Sequence, residues 1–278
     1  MRRILTYIAG AKKEYCEDAI YADERTAFVL DGATGITGQR VTDAPSDAAW
    51  FVRRFRAYLI SALEGDEQIL SLLRRGTRAI GAEFLRFPGA DRVEDKPSAV
   101  LSVVRERKGF LEYYSLGDTE IVIRKKSGEV VTLLDSRLVD LDNRNFARMK
   151  EIAERTGKTI REAFFDVFPY ILENRKKMNT PDGYCALSHT EAGLDTALQG
   201  RIPLEEVRDL MLFSDGFAEI YDLFGLYESP EQMIEDVSAN GIVPAIRRLH
   251  AAQDEDPDCE RFVRNKLRDD ISVIYAQI

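Results

Sequence analysis

Short apolar runs at both ends of the chain restrict the fold more than any other feature of this sequence. Residues 4–9 and 271–278 are rich in β-branched side chains, and each run is long enough for a strand but too short for a helix. The other strand-like runs are 19–22, 26–30, 98–105, 110–115, 119–124, 129–134, 184–187 and 207–213. Because no linker separates the terminal strands from the rest, we expect them to share one core.

Amphipathic segments lie between these runs, with apolar residues three and four positions apart. They cover residues 45–63, 69–84, 144–177, 217–224 and 230–252. Gly109 and Gly128 suit tight turns and predict that residues 98–134 form an antiparallel meander. The pattern predicts an α+β fold in one domain covering residues 1–278, with a helical insertion at about 136–182.

Composition excludes several classes of protein. The 278 residues include 39 Lys and Arg against 48 Asp and Glu, and a net charge of −9 argues against a nucleic-acid partner. No apolar stretch approaches the roughly 18 residues that span a bilayer, and no leader is recognisable. We therefore expect a cytoplasmic monomer with no membrane partner.

Cysteine and histidine are too few for a zinc site of the usual kind. The chain has three widely spaced cysteines and two histidines. Cys16 stands beside Glu17, and neighbouring carboxylates raise the pKa of a thiol, so we expect Cys16 to be inert. Any metal chemistry must therefore rely on carboxylates.

Four acidic clusters occur where a strand begins or ends. They are Glu17-Asp18, Asp31-Gly32, Asp215-Gly216 and Asp269-Asp270. Each one alone is typical of an ordinary turn. Strand ends can converge at one edge of a sheet, however, and converging carboxylates repel each other unless cations hold them. Mg²⁺ and Mn²⁺ prefer such oxygen ligands, and a pair of these ions can activate water for phosphoryl transfer.

The ordered set of motifs resembles the protein phosphatase 2C family, the metal-dependent Ser/Thr phosphatases, from residue 4 to the C-terminus. The motifs are CEDA at 16–19, VLDGATG at 29–35, PSA at 97–99, LGDT at 116–119, LFSDG at 212–216 and RDDISVI at 268–274. The resemblance implies a four-layer αββα sandwich of two antiparallel sheets flanked by helices. It also implies a hydrolase that acts on phosphorylated proteins with two Mg²⁺ or Mn²⁺ ions.

The resemblance further implies roles for three catalytic aspartates. Asp31 would bridge both ions, and Asp215 and Asp269 would complete the coordination of one of them. A water or hydroxide bridging the ions would attack phosphorus in line, without a covalent phospho-enzyme.

Other site residues follow from the same resemblance. Glu17 and the carbonyl of Gly32 would serve the second ion, and Asp18 would act directly or through water. Lys13 stands where many members hold the substrate phosphate with an arginine, although a solvated turn is an equally ordinary interpretation. Asp95 is a candidate ligand for a weaker third ion.

Two departures from the family pattern leave the substrate open. The run 31–35 contains no histidine, and residues 136–182 replace the usual motifs with helices. Asp118 is interpreted as a hairpin-turn residue whose carboxylate caps local N–H groups. Two alternatives therefore remain: a catalytically weak regulatory or scaffolding protein, and a phosphatase of small phosphorylated metabolites.

Overall fold

The computed structural model describes residues 1–11 and 14–278. The strands in this part of the chain are β1 (Ile4–Ala9), β2 (Ala19–Ala22), β3 (Thr26–Ala33), β4 (Ser98–Arg107), β5 (Phe110–Leu116), β6 (Glu120–Lys125), β7 (Val130–Leu133), β8 (Leu198–Pro203), β9 (Val207–Phe213) and β10 (Ile271–Gln277). The helices are α1 (Asp47–Ala62), α2 (Ile69–Phe84), α3 (Arg137–Thr156), α4 (Ile160–Arg175), α5 (Asp215–Asp222), α6 (Pro230–Asn240) and α7 (Ile242–Asp254).

The strands form two five-stranded antiparallel sheets. One has the order β1-β10-β9-β6-β7 and the other the order β2-β3-β4-β5-β8. The first and last strands pair directly, with Ile4 opposite Ala276 and Ala9 opposite Ile271. The two ends of the chain therefore lie side by side in one sheet.

Alternating side chains of β3 show how the layers pack. Phe28 and Leu30 face a core formed with α1 and α2, whereas Ala27 and Val29 belong to a core between the two sheets. A third core joins the other sheet to α5, α6 and α7. The predicted αββα sandwich is confirmed, and each fully buried large apolar side chain stabilises it by roughly 1.5–3 kcal/mol.

The meander predicted for residues 98–134 is only partly correct. β4 pairs with β5 and β6 pairs with β7, as expected, but β5 and β6 lie in different sheets. The chain crosses between the sheets at Gly117, whose φ is +84°. A Cβ atom at Gly117 would lie 2.1 Å from Cγ1 of Val100, so the crossing needs glycine. Apolar periodicity indicates a strand but not the sheet to which it belongs.

Three further elements differ from the predictions. β8 is an edge strand with mostly exposed residues, so it has no apolar alternation to reveal it. The segment 184–187 forms only an isolated bridge, between Leu187 and Ala99. The helix predicted over 230–252 is interrupted at Gly241, where φ is +83°.

α3 and α4 form a helical hairpin that packs beside the sandwich. Gly157, with φ of +72°, ends α3, and a capping box between Thr159 and Glu162 starts α4. Buried side chains that include Met149 and Val167 hold the two helices together.

None of the described helices is long and apolar enough to span a membrane.

Candidate metal centre

The four acidic clusters meet at one end of the sandwich. Asp31 lies in β3 opposite Val100, and Asp215 opens α5 directly after β9. The Glu17-Asp18 cluster immediately precedes β2, and Asp269-Asp270 immediately precedes β10. All six acidic side chains line a single cleft of about 870 Å³. The sequence-predicted ligands are therefore brought together.

Two glycines let the backbone segments approach closely enough for this. A Cβ atom at Gly32 would lie 2.5 Å from the carbonyl oxygen of Glu17. A Cβ atom at Gly216 would lie 2.1 Å from the carbonyl oxygen of Asp270. Both glycines thus bring one acidic segment against another, which a simple turn does not require.

Glu17 is held in place by hydroxyl groups. The Oγ1 of Thr34 donates to Glu17 Oε2, and the Oγ of Ser46 donates to Glu17 Oε1. Ser46 is also the N-cap of α1, where its Oγ accepts a hydrogen bond from the N–H of Ala49 at 3.0 Å. The start of α1 therefore orients a buried carboxylate of the centre.

Asp18 and Asp31 are surrounded by negative charge. Asp18 is only 7% exposed, and neither of its carboxylate oxygens has a hydrogen bond of good geometry among the described residues, although the hydroxyl of Ser272 lies close enough to lower its pKa. Burial, followed by the charges of Asp270 and Asp215, raises the pKa of Asp18 well above its ordinary value. Burial and the charge of Asp18 likewise raise the pKa of Asp31. These carboxylates favour a bound cation.

Asp215 and Asp269 form the other half of the cluster. Burial and the charge of Asp269 raise the pKa of Asp215 to about 7. Asp269 Oδ1 accepts hydrogen bonds from the N–H of Asp270 at 2.7 Å and from Nζ of Lys266 at 2.5 Å. The ammonium of Lys266 thus offsets part of the negative charge at this edge of the cleft.

Three acidic residues that line the cleft were missed as site residues, namely Asp118, Asp142 and the exposed Asp254. Asp118 is buried, lines the cleft, and has a pKa raised by burial and by the charge of Asp215. Its interpretation as a hairpin residue is wrong, because the turn joins the two sheets. Asp142 of α3 also lines the cleft, and burial raises its pKa to about 6. The motif at 116–119 pointed to Asp118, but no local signal marks Asp142.

Two predicted site residues remain, Lys13 and Asp95. Lys13 lies outside the described residues. Asp95 accepts a hydrogen bond from the N–H of Ile36 at 2.6 Å and lies 3.7 Å from Nε of Arg175. Arg175 in turn donates to the carbonyl of Thr34 at 2.9 Å. In this arrangement Asp95 and Arg175 tie the end of α4 to the loop after β3.

Cys16 has the character expected from the sequence. Burial, followed by the charge of Asp18, raises the pKa of its thiol well above the ordinary value. The thiol is therefore protonated near neutral pH, and a neutral thiol is a poor nucleophile.

Comparison with known proteins decides the family. A sequence profile described as protein phosphatase 2C matches residues 10–268. The chain belongs to the protein phosphatase 2C family. It is accordingly a metal-dependent serine/threonine phosphatase.

Solved structures show the same phosphatase 2C fold at low sequence identity. The Mycobacterium tuberculosis serine/threonine phosphatase PstP/Ppp aligns with a TM-score of 0.58 and 17% identity over 99% of this chain and 98% of that one. The PstP catalytic domain in complex with two manganese ions aligns with a TM-score of 0.56 and 18% identity, over 99% of this chain and 97% of that one. Stp1 from Staphylococcus aureus aligns with a TM-score of 0.56 and 14% identity, over 100% of this chain and 95% of that one. No curated protein sequence matches the chain significantly.

The donor set of this phosphatase 2C chain suits hard dications. The ligand candidates at its centre are carboxylates, joined by the backbone carbonyl of Gly32, and Mg²⁺ and Mn²⁺ prefer such oxygen donors. Asp18 supplies two buried oxygens that have no hydrogen bond of good geometry with the residues that the structure describes. The residues present therefore fit divalent metal ions.

Proposed function

We propose that this phosphatase hydrolyses phosphoserine and phosphothreonine in proteins, using two Mg²⁺ or Mn²⁺ ions and a water nucleophile. One observation carries the proposal: buried carboxylates from separate segments line one cleft and raise each other's pKa. Such mutual repulsion is costly unless dications offset it.

The family resemblance supports a division of roles among the carboxylates that share the cleft. Asp31 would contact both ions, and Asp215 and Asp269 would complete the coordination of one of them. Glu17 and the Gly32 carbonyl would complete the other. Two ions at such a site lower the pKa of water and neutralise charge on the phosphoryl oxygens.

The protein's contribution is then to orient the donors before substrate arrives. Ser46 and Thr34 fix both oxygens of Glu17, so this carboxylate need not reorganise. Lys266 holds Asp269 by an ion pair at 2.5 Å. Asp18 would act directly or through a water.

Asp118 is a better candidate than Asp95 for a weaker third ion. It is buried in the cleft close enough to Asp215 for their charges to interact, whereas Asp95 is engaged by Ile36 and Arg175. Mn²⁺ titration of Asp118→Asn and Asp95→Asn would distinguish them. Loss of a weak site only in Asp118→Asn supports this assignment, and loss only in Asp95→Asn contradicts it.

A phosphoprotein substrate is supported by the family and by the PstP and Stp1 structures, which are of serine/threonine phosphatases. A screen of phosphopeptides against small phosphorylated metabolites tests this choice directly. Faster hydrolysis of the metabolites would refute the protein substrate while leaving the metal chemistry intact.

The chemistry is tested with p-nitrophenyl phosphate and Mn²⁺. We expect hydrolysis that EDTA abolishes, and turnover at least about 100-fold lower in Asp31→Asn, because a principal electrostatic element is removed. Asp195→Asn is the matched control, since Asp195 is exposed and pairs with Arg74 away from the cleft. Activity that survives chelation, or equal activity in Asp31→Asn, would refute the two-metal proposal. Absence of Mn²⁺ binding in calorimetry would favour a scaffolding protein.

A further inference from the structure

Cys16 adjoins the acidic centre without belonging to its oxygen ligand set. Its Sγ atom and one carboxylate oxygen each of Asp18 and Asp270 all lie within 4.8 Å of one another. Cys16 is half-buried and Asp18 is buried. Three potential ligand atoms are therefore gathered at one point, and one of them is sulfur.

The two carboxylates at this point differ in how they are bound. Asp270 is fixed by the backbone, since its Oδ1 accepts from the N–H of Ala11 and its Oδ2 from the N–H of Glu17, both at 2.6 Å. Each carboxylate oxygen still has a lone pair for a further contact. Asp18, more than nine-tenths buried, has no hydrogen bond of good geometry on either oxygen within the described part of the chain, although the Ser272 hydroxyl lies near it. One ligand is thus pre-positioned, and another lacks the hydrogen bonds that its burial demands.

We propose that Cys16, Asp18 and Asp270 form a site for a thiophilic dication such as Zn²⁺, adjoining the proposed binuclear centre and sharing Asp18 with it. Zn²⁺ accepts sulfur and oxygen ligands together, at about 2.3 Å and about 2.0–2.2 Å respectively. Mg²⁺ does not favour sulfur, so the thiol selects the ion. On binding, the S–H bond breaks, the sulfur–zinc bond forms with the sulfur electron pair, and the proton passes to water. No oxidant or reductant is needed.

The charge balance also favours an ion here. Asp18 and Asp270 bring two formal negative charges, and a thiolate would add a third. A dication offsets the repulsion among these charges, because none of the three side chains is positively charged. Ligands of three residues leave a further coordination position for water.

The site shares Asp18 with the proposed binuclear centre. Because Asp18 has two oxygens, it can turn one towards Cys16 and the other towards Asp31. We expect Zn²⁺ at the sulfur site to slow Mn²⁺-supported hydrolysis by changing how Asp18 is held. This consequence rests on the proposed function, whereas the existence of the site does not.

Co²⁺ provides a test that is independent of activity, because a cobalt–thiolate bond absorbs in the near ultraviolet. We expect this charge-transfer band in the wild type and in Cys259→Ser, whose thiol is buried elsewhere in the fold, and its loss in Cys16→Ser. Thermal unfolding of all three proteins checks that each is folded. A wild type without the band, or a Cys16→Ser protein that keeps it, would overturn the site.

The inhibitory consequence is measured separately in the same preparations. We expect Cys16→Ser to raise the Zn²⁺ concentration for half-inhibition by at least about tenfold relative to Cys259→Ser, the scale seen when a metal site loses a supporting group. Equal concentrations in the two variants would refute the shared role of Asp18. If Mn²⁺ supports no hydrolysis in the wild type, the proposed function fails, yet the cobalt spectrum still decides the site.

Discussion

Replacing Asp215 by asparagine should stabilise the metal-free protein while removing its activity. Asp215 is buried among other carboxylates, and its pKa rises from an ordinary 3.8 to about 7. Its ionised form is therefore disfavoured in the folded state relative to the unfolded state. Asparagine is nearly the same size and carries no charge, so the substitution removes this penalty without a cavity.

The magnitude follows from the pKa. A rise from 3.8 to about 7 corresponds to about 4 kcal/mol at pH 7, since each pKa unit is worth about 1.4 kcal/mol. The net gain in the free energy of unfolding is smaller because the buried asparagine amide needs hydrogen-bond partners of its own, so we expect a gain of about 1–3 kcal/mol. For a chain of this size, that raises Tm by several degrees. The penalty exists only above the unfolded-state pKa, so the gain should vanish as pH falls to about 4.

The assay is urea or thermal unfolding in EDTA at pH 7 and at pH 4, compared with unfolding in Mn²⁺. Mn²⁺ should raise the free energy of unfolding of the wild type more than that of Asp215→Asn. An ion stabilises a protein by binding to its folded state, and the variant lacks one of the proposed metal ligands. Asp256→Asn is the control, and the change in stability that we expect for it has the opposite sign. Asp256 is buried but forms an ion pair with Arg264 at 2.7 Å, which helps to lower the pKa of Asp256. That substitution should destabilise the protein. An Asp215→Asn protein less stable than wild type in EDTA would refute the reasoning.

One further prediction concerns the backbone beside the site, and another concerns the ion pairs of Glu112 with Arg105 and Arg107 between β4 and β5. Gly32→Ala should destabilise the protein by about 1–3 kcal/mol and weaken Mn²⁺ binding, because the added Cβ atom would press on the carbonyl of Glu17. An unchanged free energy of unfolding together with an unchanged Mn²⁺ affinity in calorimetry would contradict this. Glu112 has a lowered pKa because hydrogen bonds from Arg107 and Arg105 outweigh the effect of burial. The contribution of Glu112 to stability should be complete above its ordinary pKa of 4.5 and should be lost as the pH falls through its lower pKa in the folded state. If the free energy of unfolding of Glu112→Gln changed with pH in the same way as that of the wild type, this prediction would be contradicted.

The sequence predicted the layered fold and the gathering of the acidic clusters because both depend on local signals. An apolar run followed by a carboxylate and glycine marks the last residues of β3 at Asp31 and the start of α5 after β9 at Asp215. Antiparallel pairing of β10 with β9 brings Asp215 to the side of the Asp269-Asp270 cluster. Pairing of β2 with β3 brings Asp31 to the side of the Glu17-Asp18 cluster. The roles of the individual carboxylates follow only from the family resemblance and remain proposals.

Features that depend on long-range contacts could not be predicted. Whether Gly117 turns a hairpin or crosses between sheets depends on packing against Val100, which no local pattern records. Asp142 is one of several charges on α3 and enters the cleft only because the α3–α4 hairpin packs beside the sandwich. The polar edge strand β8 gave no apolar alternation at all.

Glu17 and Asp18 are neighbours in sequence, but their carboxylates differ in hydrogen bonding. Glu17 is satisfied by the hydroxyls of Thr34 and Ser46, whereas Asp18 has no hydrogen bond of good geometry on either oxygen within the described residues. The protein can therefore fix Glu17 by itself but must rely on cations to satisfy Asp18. Because the same ions would serve catalysis and relieve the repulsion among the aspartates, adding the ions should raise the free energy of unfolding of the wild type, and removing them should lower it.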